Sequence, residues 1–430
     1  MKSMKDEVVR KVRGALPPGA VKLLEEGYRR GRVHVVSAKY GYPARGLRVL
    51  AVTGTNGKTT TANYLNEILK AAGLRTAMFT TAVIEIGGER KLNDLNATVA
   101  STERMQEFFR DAKRAGVDFV VLEITSHALQ QHKLTTVPIE AAIMTNLTQD
   151  HLDYHGTMEE YASAKGKLFA GKPRYIILNR DDQWFDFYNQ FEAGEQKITY
   201  GADKDAECRI TDVTLYKRGS EAKLEIDHQT VIDLATALPG KFNVYNMTAA
   251  AATAYLLHVK LEDIVEGVAN LEEVPGRFER IEAEVPYEII VDYAHTPDAL
   301  EQLLDAAKTL TKNRVILVFG ATGDRDKTKR PIMGGIAAKY ADRIFVTDEE
   351  SYNEDPTEIR RMVIDGIASA GGNSKTEEIA DRKAAIEKAL LIARKGDTIL
   401  VTGMGHEQFR IVNGERLPWN DGDVIRELLK

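Results

Sequence analysis

The chain has 430 residues, 43% of them hydrophobic and 28% charged, with a formal net charge of -6. That length allows two or three domains with cores of their own, and the acidic balance gives no overall attraction to nucleic acid or to an anionic membrane. A single cysteine, Cys208, excludes an intramolecular disulfide and a cysteine-built metal cluster. The first twenty residues hold no apolar stretch of leader type and no later run approaches a membrane span, so a cytoplasmic location without membrane insertion is expected.

Residues 1–46 read as a short, basic, helical segment broken at Pro17-Pro18, too small to form a sizeable domain alone. From Leu47 apolar strands alternate with amphipathic helices. LRVLAVT, RTAMFTT, DFVVLEIT, EAAIMTNL and RYIILN mark a mostly parallel sheet covered by helices, an α/β fold. Between Ile198 and Leu238 short alternating segments predict a small antiparallel patch, and alanine-rich Asn243 to Leu257 predicts a closing helix. LEEVPGRFERI (Leu271 to Ile281) reads as a hinge. Beyond it YEIIVDYA, RVILVFG, RIFVTD and DTILVTG predict a second, smaller Rossmann-like unit, with ligand-bearing loops at the carboxyl ends of its strands. The expected division is 1–46, 47–274 and 275–430.

The stretch VLAVTGTNGKTTTANY (Val49 to Tyr64) carries the clearest chemistry. Its strand ends at Gly54, and a turn through Thr55, Asn56 and Gly57 leads into a helix opening with Lys58, Thr59 and Thr60. Strand, glycine turn and helix in that order make a phosphate-binding loop: backbone N–H groups face the phosphates, Lys58 reaches the outer ones, and Thr59 can ligate Mg²⁺. The usual leading glycine of such loops is Val52 here. The central unit is therefore expected to be a P-loop ATPase domain.

Glu123 ends a buried-looking strand, where a carboxylate needs a partner or a metal; a Mg²⁺ ligand is one reading, an N-cap or a surface salt bridge the other. His151, Asp153 and His155 follow a strand in a polar loop whose spacing fits no zinc signature, and Lys165 lies on the next helix. In the second unit VDYAHTPDAL, GATGDRDKTKRP and VTGMGHEQF again follow strands and would face one cleft if the sheet is parallel; simple loop solvation is the alternative.

Together these segments resemble the Mur ligases, and within them the tripeptide-synthetase branch. The resemblance is carried by GTNGKTTT, EITSHALQQHKL, TNLTQDHLDYHGTMEEYASAKGKLF, LPGKFNVYNMTAA, VPGRFE, VDYAHTPDAL, GATGDRDKTKRPIMG and GMGHE, in family order from about residue 48 onward. It implies an ATP- and Mg²⁺-dependent ligase that joins an amino acid to the carboxylate of a muramyl-peptide-type precursor through an acyl phosphate. Lys58, Lys165 and His151 would then be catalytic, Lys165 as a carbamate, and Thr59, Glu123, His151 and Lys165 would hold metal. Nucleotide would contact Gly54 to Thr60, Asn243, Asn246, Arg277, Asp292 and His295. Substrates would contact Thr125, Ser126, Gln131, Lys133 (an arginine in the family), Glu349, Glu350, Tyr352, Gly403 and Glu407.

Two departures shape further expectations. Only 46 residues precede the ATPase strand, so most of the family's UDP-binding first domain is expected to be missing, with little dependence on uridine. The DNPR motif of the diaminopimelate-adding enzymes reads Glu349, Glu350, Ser351, Tyr352. A basic acceptor, lysine or ornithine, is therefore expected and diaminopimelate disfavoured; solvent-facing glutamates with a small acceptor are the competing reading. The other functions open to the chain are a different amide ligase of the superfamily (cyanophycin-synthetase-like, folylpolyglutamate-synthetase-like or pseudomurein ligase) and a catalytically silent ATP-binding partner. A monomer is expected.

Overall fold

A computed structural model describes residues 18–93, 100–412 and 414–430. Of the N-terminal segment, residues 1–17 lie outside the described part. The helix Pro18–Lys39 begins at the second proline, where a missing N–H costs the first turn nothing.

The larger sheet has eleven strands. In chain order they are β1 (Arg48–Thr53), β2 (Thr76–Phe79), β3 (Val83–Ile86), β4 (Glu89–Leu92), β5 (Phe119–Glu123) and β6 (Ile139–Met144). The rest are β7 (Tyr175–Asn179), β8 (Gln196–Gly201), β9 (Cys208–Tyr216), β10 (Gly219–Ile226) and β11 (Thr230–Thr236). They lie in the order β11-β10-β9-β8-β7-β6-β1-β5-β2-β3-β4. The centre, from β8 to β2, is parallel. Such strands are covered on both faces and read as unbroken apolar runs. Alternate residues feed opposite cores: Leu50 and Val52 join Leu65 and Ile68 on one face, Val49 and Ala51 join Phe108 and Phe109 on the other.

The smaller sheet comprises β12 (Glu279–Arg280), β13 (Glu288–Asp292), β14 (Val315–Phe319), β15 (Arg343–Val346), β16 (Thr376–Glu378) and β17 (Thr398–Thr402). Its order is β12-β13-β17-β14-β15-β16, parallel except at β12. A hairpin, β18 (Phe409–Val412) with β19 (Glu415–Pro418), follows it.

Some expectations need correcting. The strand through Ile198, placed in the antiparallel patch, pairs parallel with β7; within that patch the antiparallel pairs are those of β9 to β11. The β3–β4 hairpin and the helix Leu261–Ala269 escaped the sequence reading. That helix packs so closely on the helix Lys58–Ala71 that a β-carbon on Gly267 would lie 2.2 Å from the Cα of Ile68. Backbone cannot yield there as a flexible side chain could. Gly267→Ala should therefore lower unfolding stability by about 1–3 kcal/mol, read as an earlier chemical-denaturation midpoint.

Candidate active site

The phosphate loop is fixed from both sides. Gly54 has φ 150° and Gly57 φ 83°. A β-carbon on Gly54 would meet Thr145 Oγ1 at 1.8 Å, and one on Gly57 would meet Asn246 Oδ1 at 2.2 Å, so both positions demand glycine. The end of β6 holds the loop: Thr55 N donates to Asn146 O (2.9 Å), Asn56 N to Asn146 Oδ1 (2.9 Å), and Thr145 Oγ1 to Asn56 O (2.6 Å).

Glu123 leaves β5 beside this loop, only 2% exposed. Its carboxylate accepts from Thr59 Oγ1 at 2.8 Å and Thr81 N at 2.9 Å, with Lys58 Nζ at 4.0 Å. The exposed-salt-bridge reading therefore fails. Lys58 Nζ also donates to Thr55 O, and burial lowers its pKa. Thr60 lines the same space.

Lys165, on the helix Met158–Ala170, is 1% exposed and donates to Gly54 O at 2.6 Å. Its acceptor is a backbone carbonyl rather than a carboxylate. Burial, and then the charge of Lys58, push its pKa well below the usual lysine value.

His151 stands at φ 56°, Nε2 3.3 Å from Asp150 Oδ2, its ring kept neutral by burial. The stretch after it is a short helix, Leu152–His155, and not an open loop. Asp153 is exposed, whereas His155 is buried against Ser126 Oγ (2.9 Å) and the ring of Tyr161. Neither joins the reaction space.

A cleft of about 900 Å³ runs between the two sheets. Thr55 to Thr60, Glu123, His151, Thr125, Gln131, Lys133, Asn246, Arg277, Asp292 and His295 all line it. Ser126 instead holds His155, and Asn243 supports Asn246, accepting from its Nδ2 at 3.2 Å. One end combines Phe242, Tyr245, Leu215 and Leu303 with Asn179 and Asp181, a setting suited to a planar base. Glu349, Glu350, Tyr352, Gly403 and Glu407 do not line this cleft; they cluster behind Tyr293, whose hydroxyl donates to Glu407 Oε1 at 3.3 Å.

Contacts between the two units escaped the sequence reading. Lys329 Nζ donates to Asp150 Oδ1 (3.2 Å), Asn56 Nδ2 to Asp298 Oδ2 (2.7 Å), Gln149 Nε2 to Asp326 Oδ2 (3.1 Å) and Arg277 Nη2 to Thr59 Oγ1 (3.2 Å). Burial works to raise the carboxyl of Asp150, yet Lys329 and the neighbouring imidazoles hold it far below the usual range. Arg325 also reaches the cleft wall. The charged loop GATGDRDKTKRP was the available signal, but its charge alone singled out no residue.

A phosphate loop backed by a buried carboxylate, facing a second α/β unit that touches it directly, defines a nucleotide-dependent transferase or ligase. Residues 52–254 match the Mur ligase middle domain and residues 276–405 the Mur ligase glutamate ligase domain. Over 410 residues the chain is 38% identical to the UDP-N-acetylmuramoyl-L-alanyl-D-glutamate–2,6-diaminopimelate ligase of Geobacillus kaustophilus, covering 94% of this chain and 83% of that one. A solved structure of a ligase with that name superposes with a TM-score of 0.61 at 34% identity, covering 89% and 78% of the two chains. The Mycobacterium tuberculosis folylpolyglutamate synthase complexed with ADP shares the fold, with a TM-score of 0.71 at 18% identity over 87% of this chain and 91% of that one. The chain belongs to the Mur ligase family, as an ATP-dependent ligase that adds an amino acid to a muramyl peptide.

Buried neutral imidazoles make the fold acid-sensitive. Burial lowers His155 to about 4 and His406 to about 3, whereas both titrate near 6.5 when unfolded. Below pH ~6.5 the unfolded chain takes up protons that the native state refuses, so their stabilising contribution, full above that pH, shrinks as pH falls toward ~4. Denaturation midpoints should be lower at pH 5 than at pH 7, and His406→Gln should flatten that dependence.

Proposed function

We propose that the donor is the muramoyl dipeptide carboxylate for which the relatives are named, and that this cleft activates it by phosphoryl transfer. The observation that carries the assignment is Lys165, buried against the Gly54 carbonyl beside Glu123, Thr59 and Lys58. A lysine amine confined there as a bare cation opposes Lys58; carbamylated, it becomes an anion that complements it.

In this reading the N–H groups from Gly54 to Thr60 and the Lys58 ammonium hold the phosphates, with Asn246, Arg277, Asp292 and His295 completing the nucleotide site and Asn243 bracing Asn246. Among the described residues no group of three His, Cys, Asp or Glu side chains is arranged to hold a metal. Mg²⁺ with a nucleotide needs no such cage, because phosphates and water complete its octahedron. The hydroxyl of Thr59 and the carboxylate of Glu123, which already bond each other, would hold it, and the His151 ring and a carbamate on Lys165 would add donors. Bound Mg²⁺ would neutralise charge on the phosphates.

The donor carboxylate, lying along Thr125, Gln131 and Lys133, attacks the γ-phosphorus of ATP; ADP leaves and an acyl phosphate remains. The acceptor amine, as the free base, then attacks the acyl carbon, and phosphate departs from the tetrahedral intermediate with the proton that the nitrogen sheds as the amide forms. Lys58 and Arg277 offset the charge that develops on the transferred group, from positions fixed before the reaction begins. We divide the chain at 46/47 and 274/275, and read it as a monomer working in the cytoplasm, where ATP is supplied.

ADP release from the wild-type enzyme, given UDP-linked muramoyl dipeptide and a panel of amino acids, tests the assignment: donor- and acceptor-dependent release is expected, and none with any acceptor would overturn it. Lys165→Ala should lose most of that activity, on the order of 100-fold or more, and recover part with added formate or acetate. Full activity without rescue would remove the carbamate from the account.

Because the nucleotide residues come from both units, binding should hold the units together. Small-angle scattering should give a smaller radius of gyration with a non-hydrolysable ATP analogue and donor than without. An unchanged radius, with both ligands shown to be bound, would contradict this.

A further inference from the structure

We infer that His406 of the second unit is a positioning residue for the phosphate site, holding from across the cleft the turn that orients the Glu123 carboxylate. The inference rests on the reading above in which Glu123 serves Mg²⁺ bound with the nucleotide.

The geometry starts at Glu123 Oε2, which accepts from Thr59 Oγ1 (2.8 Å) and from Thr81 N (2.9 Å). The second unit holds each of these donor residues in turn. Arg277 Nη2 donates to Thr59 Oγ1 (3.2 Å), and His406 Nε2 donates to Thr81 O (3.0 Å). Burial keeps the His406 ring neutral, and a carbonyl can only accept, so the ring proton sits on Nε2. The N–H and the carbonyl of Thr81 flank one Cα, so a bond at the carbonyl limits how far the N–H can swing away from Glu123. The rest of the turn is braced within its own unit. Thr80 Oγ1 accepts from Val83 N (2.9 Å), and Asn93 Nδ2 donates to Thr80 O (2.8 Å).

Tyr293 makes the two grips one device. Its ring lies 5.3 Å from that of His406, centroid to centroid, and the Arg277 guanidinium lies 4.4 Å over it. Tyr293 is anchored at both ends, its N–H to Gly276 O (2.9 Å) and its hydroxyl to Glu407 Oε1 (3.3 Å). Gly276 stands at φ 64°, and a β-carbon there would lie 2.2 Å from His406 N. The hinge, the end of β13 and the loop after β17 therefore meet with no slack.

Glu123 needs this support because of what faces it. Lys58 Nζ is 4.0 Å from its Oε1, close enough to draw a buried carboxylate into a direct ion pair. Two donors on Oε2 hold the carboxylate short of that, which leaves Lys58 for phosphate and Glu123 for the metal. Packing between the units does not account for the bond. Lys329 with Asp150 and Asn56 with Asp298 already fix their placement. His406 also leaves its Nδ1 buried without a partner among the described residues, a cost that an apolar side chain would avoid.

The test is titration calorimetry of the wild-type protein and its variants with a non-hydrolysable ATP analogue, with and without Mg²⁺. Neither donor nor acceptor is present, so the outcome is separate from that of the ligase assay. His406→Leu should lose about tenfold in affinity when Mg²⁺ is present, the effect of one buried hydrogen bond left unmade, and keep its metal-free affinity. His406→Gln can place its amide Nε2 where the imidazole Nε2 stands, and should bind as the wild type does under both conditions. His406→Asn is one methylene too short to reach Thr81 O and should repeat the leucine result. In a Glu123→Gln background, His406→Leu should cost less than about twofold more, because an effect passed through Glu123 cannot be lost twice. Equal weakening with and without Mg²⁺ would make His406 a prop between the units and overturn the inference. Leucine and asparagine variants that bind like the wild type, or losses that add to that of Glu123→Gln, would also overturn it. A wild-type affinity indifferent to Mg²⁺ would overturn both this inference and the metal role of Glu123.

Discussion

The carbonyl of Gly54 is where the constraints on this molecule meet. It accepts from Lys165 Nζ, while the Cα of the same residue is pressed against Thr145 and Asn146 at the end of β6. No side chain fits there, so the loop can take only one path between β1 and the helix it enters. That path sets the direction of the backbone donors, and the helix beyond places Thr59 against Glu123. A phosphate site built this way is organised before any ligand arrives, and the reorganisation that water would require during charge transfer is already done. The absent leading glycine of the motif matters little here. Val52 lies inside β1, paired with Glu123 and Ile143, and needs no unusual backbone angle.

Binding of the second unit to the first is also a matter of charge placement. Lys329 and Asp150 come from different units and are both buried. Desolvating two ions consumes much of their attraction, so such a pair adds little to stability; removing one partner, however, strands the other and costs about 3–5 kcal/mol. The pair is better understood as fixing one relative placement of the units than as glue. Asn56 extends the same logic, because this loop residue donates directly to Asp298 across the cleft. Movement of the second unit cannot occur without changing what the phosphate loop touches.

The strands were legible because parallel strands covered on both faces read as unbroken apolar runs, and both α/β units declared themselves this way. β8 was misread because its alternation resembles that of the patch that follows, although it pairs parallel with the strand just before it. The helix Leu261–Ala269 is only nine residues long and begins without a side-chain cap, which leaves little local signal. At the site, Lys58, Glu123 and Lys165 converge as the motifs implied. His155 did not, since a histidine four residues from another can equally turn into the protein and bond a serine. Asp150 and Arg325 were unreadable for a different reason. Their significance lies in what faces them across a cleft between units far apart in sequence, and no local pattern records that.

The C-terminal unit treats its charges in two ways, and the contrast separates framework from function. Arg382 with Asp421, Arg330 with Glu354 and Arg314 with Asp397 are each joined by two or more hydrogen bonds, so these charges are compensated where they stand. Around Glu350 and Glu407 the same unit gathers carboxyl groups that repel one another and gives them only neutral partners. Stability alone would favour amides or apolar side chains at such positions. Strain of this kind persists where a binding event relieves it, and it collects at the ends of parallel strands because every loop there faces the same opening.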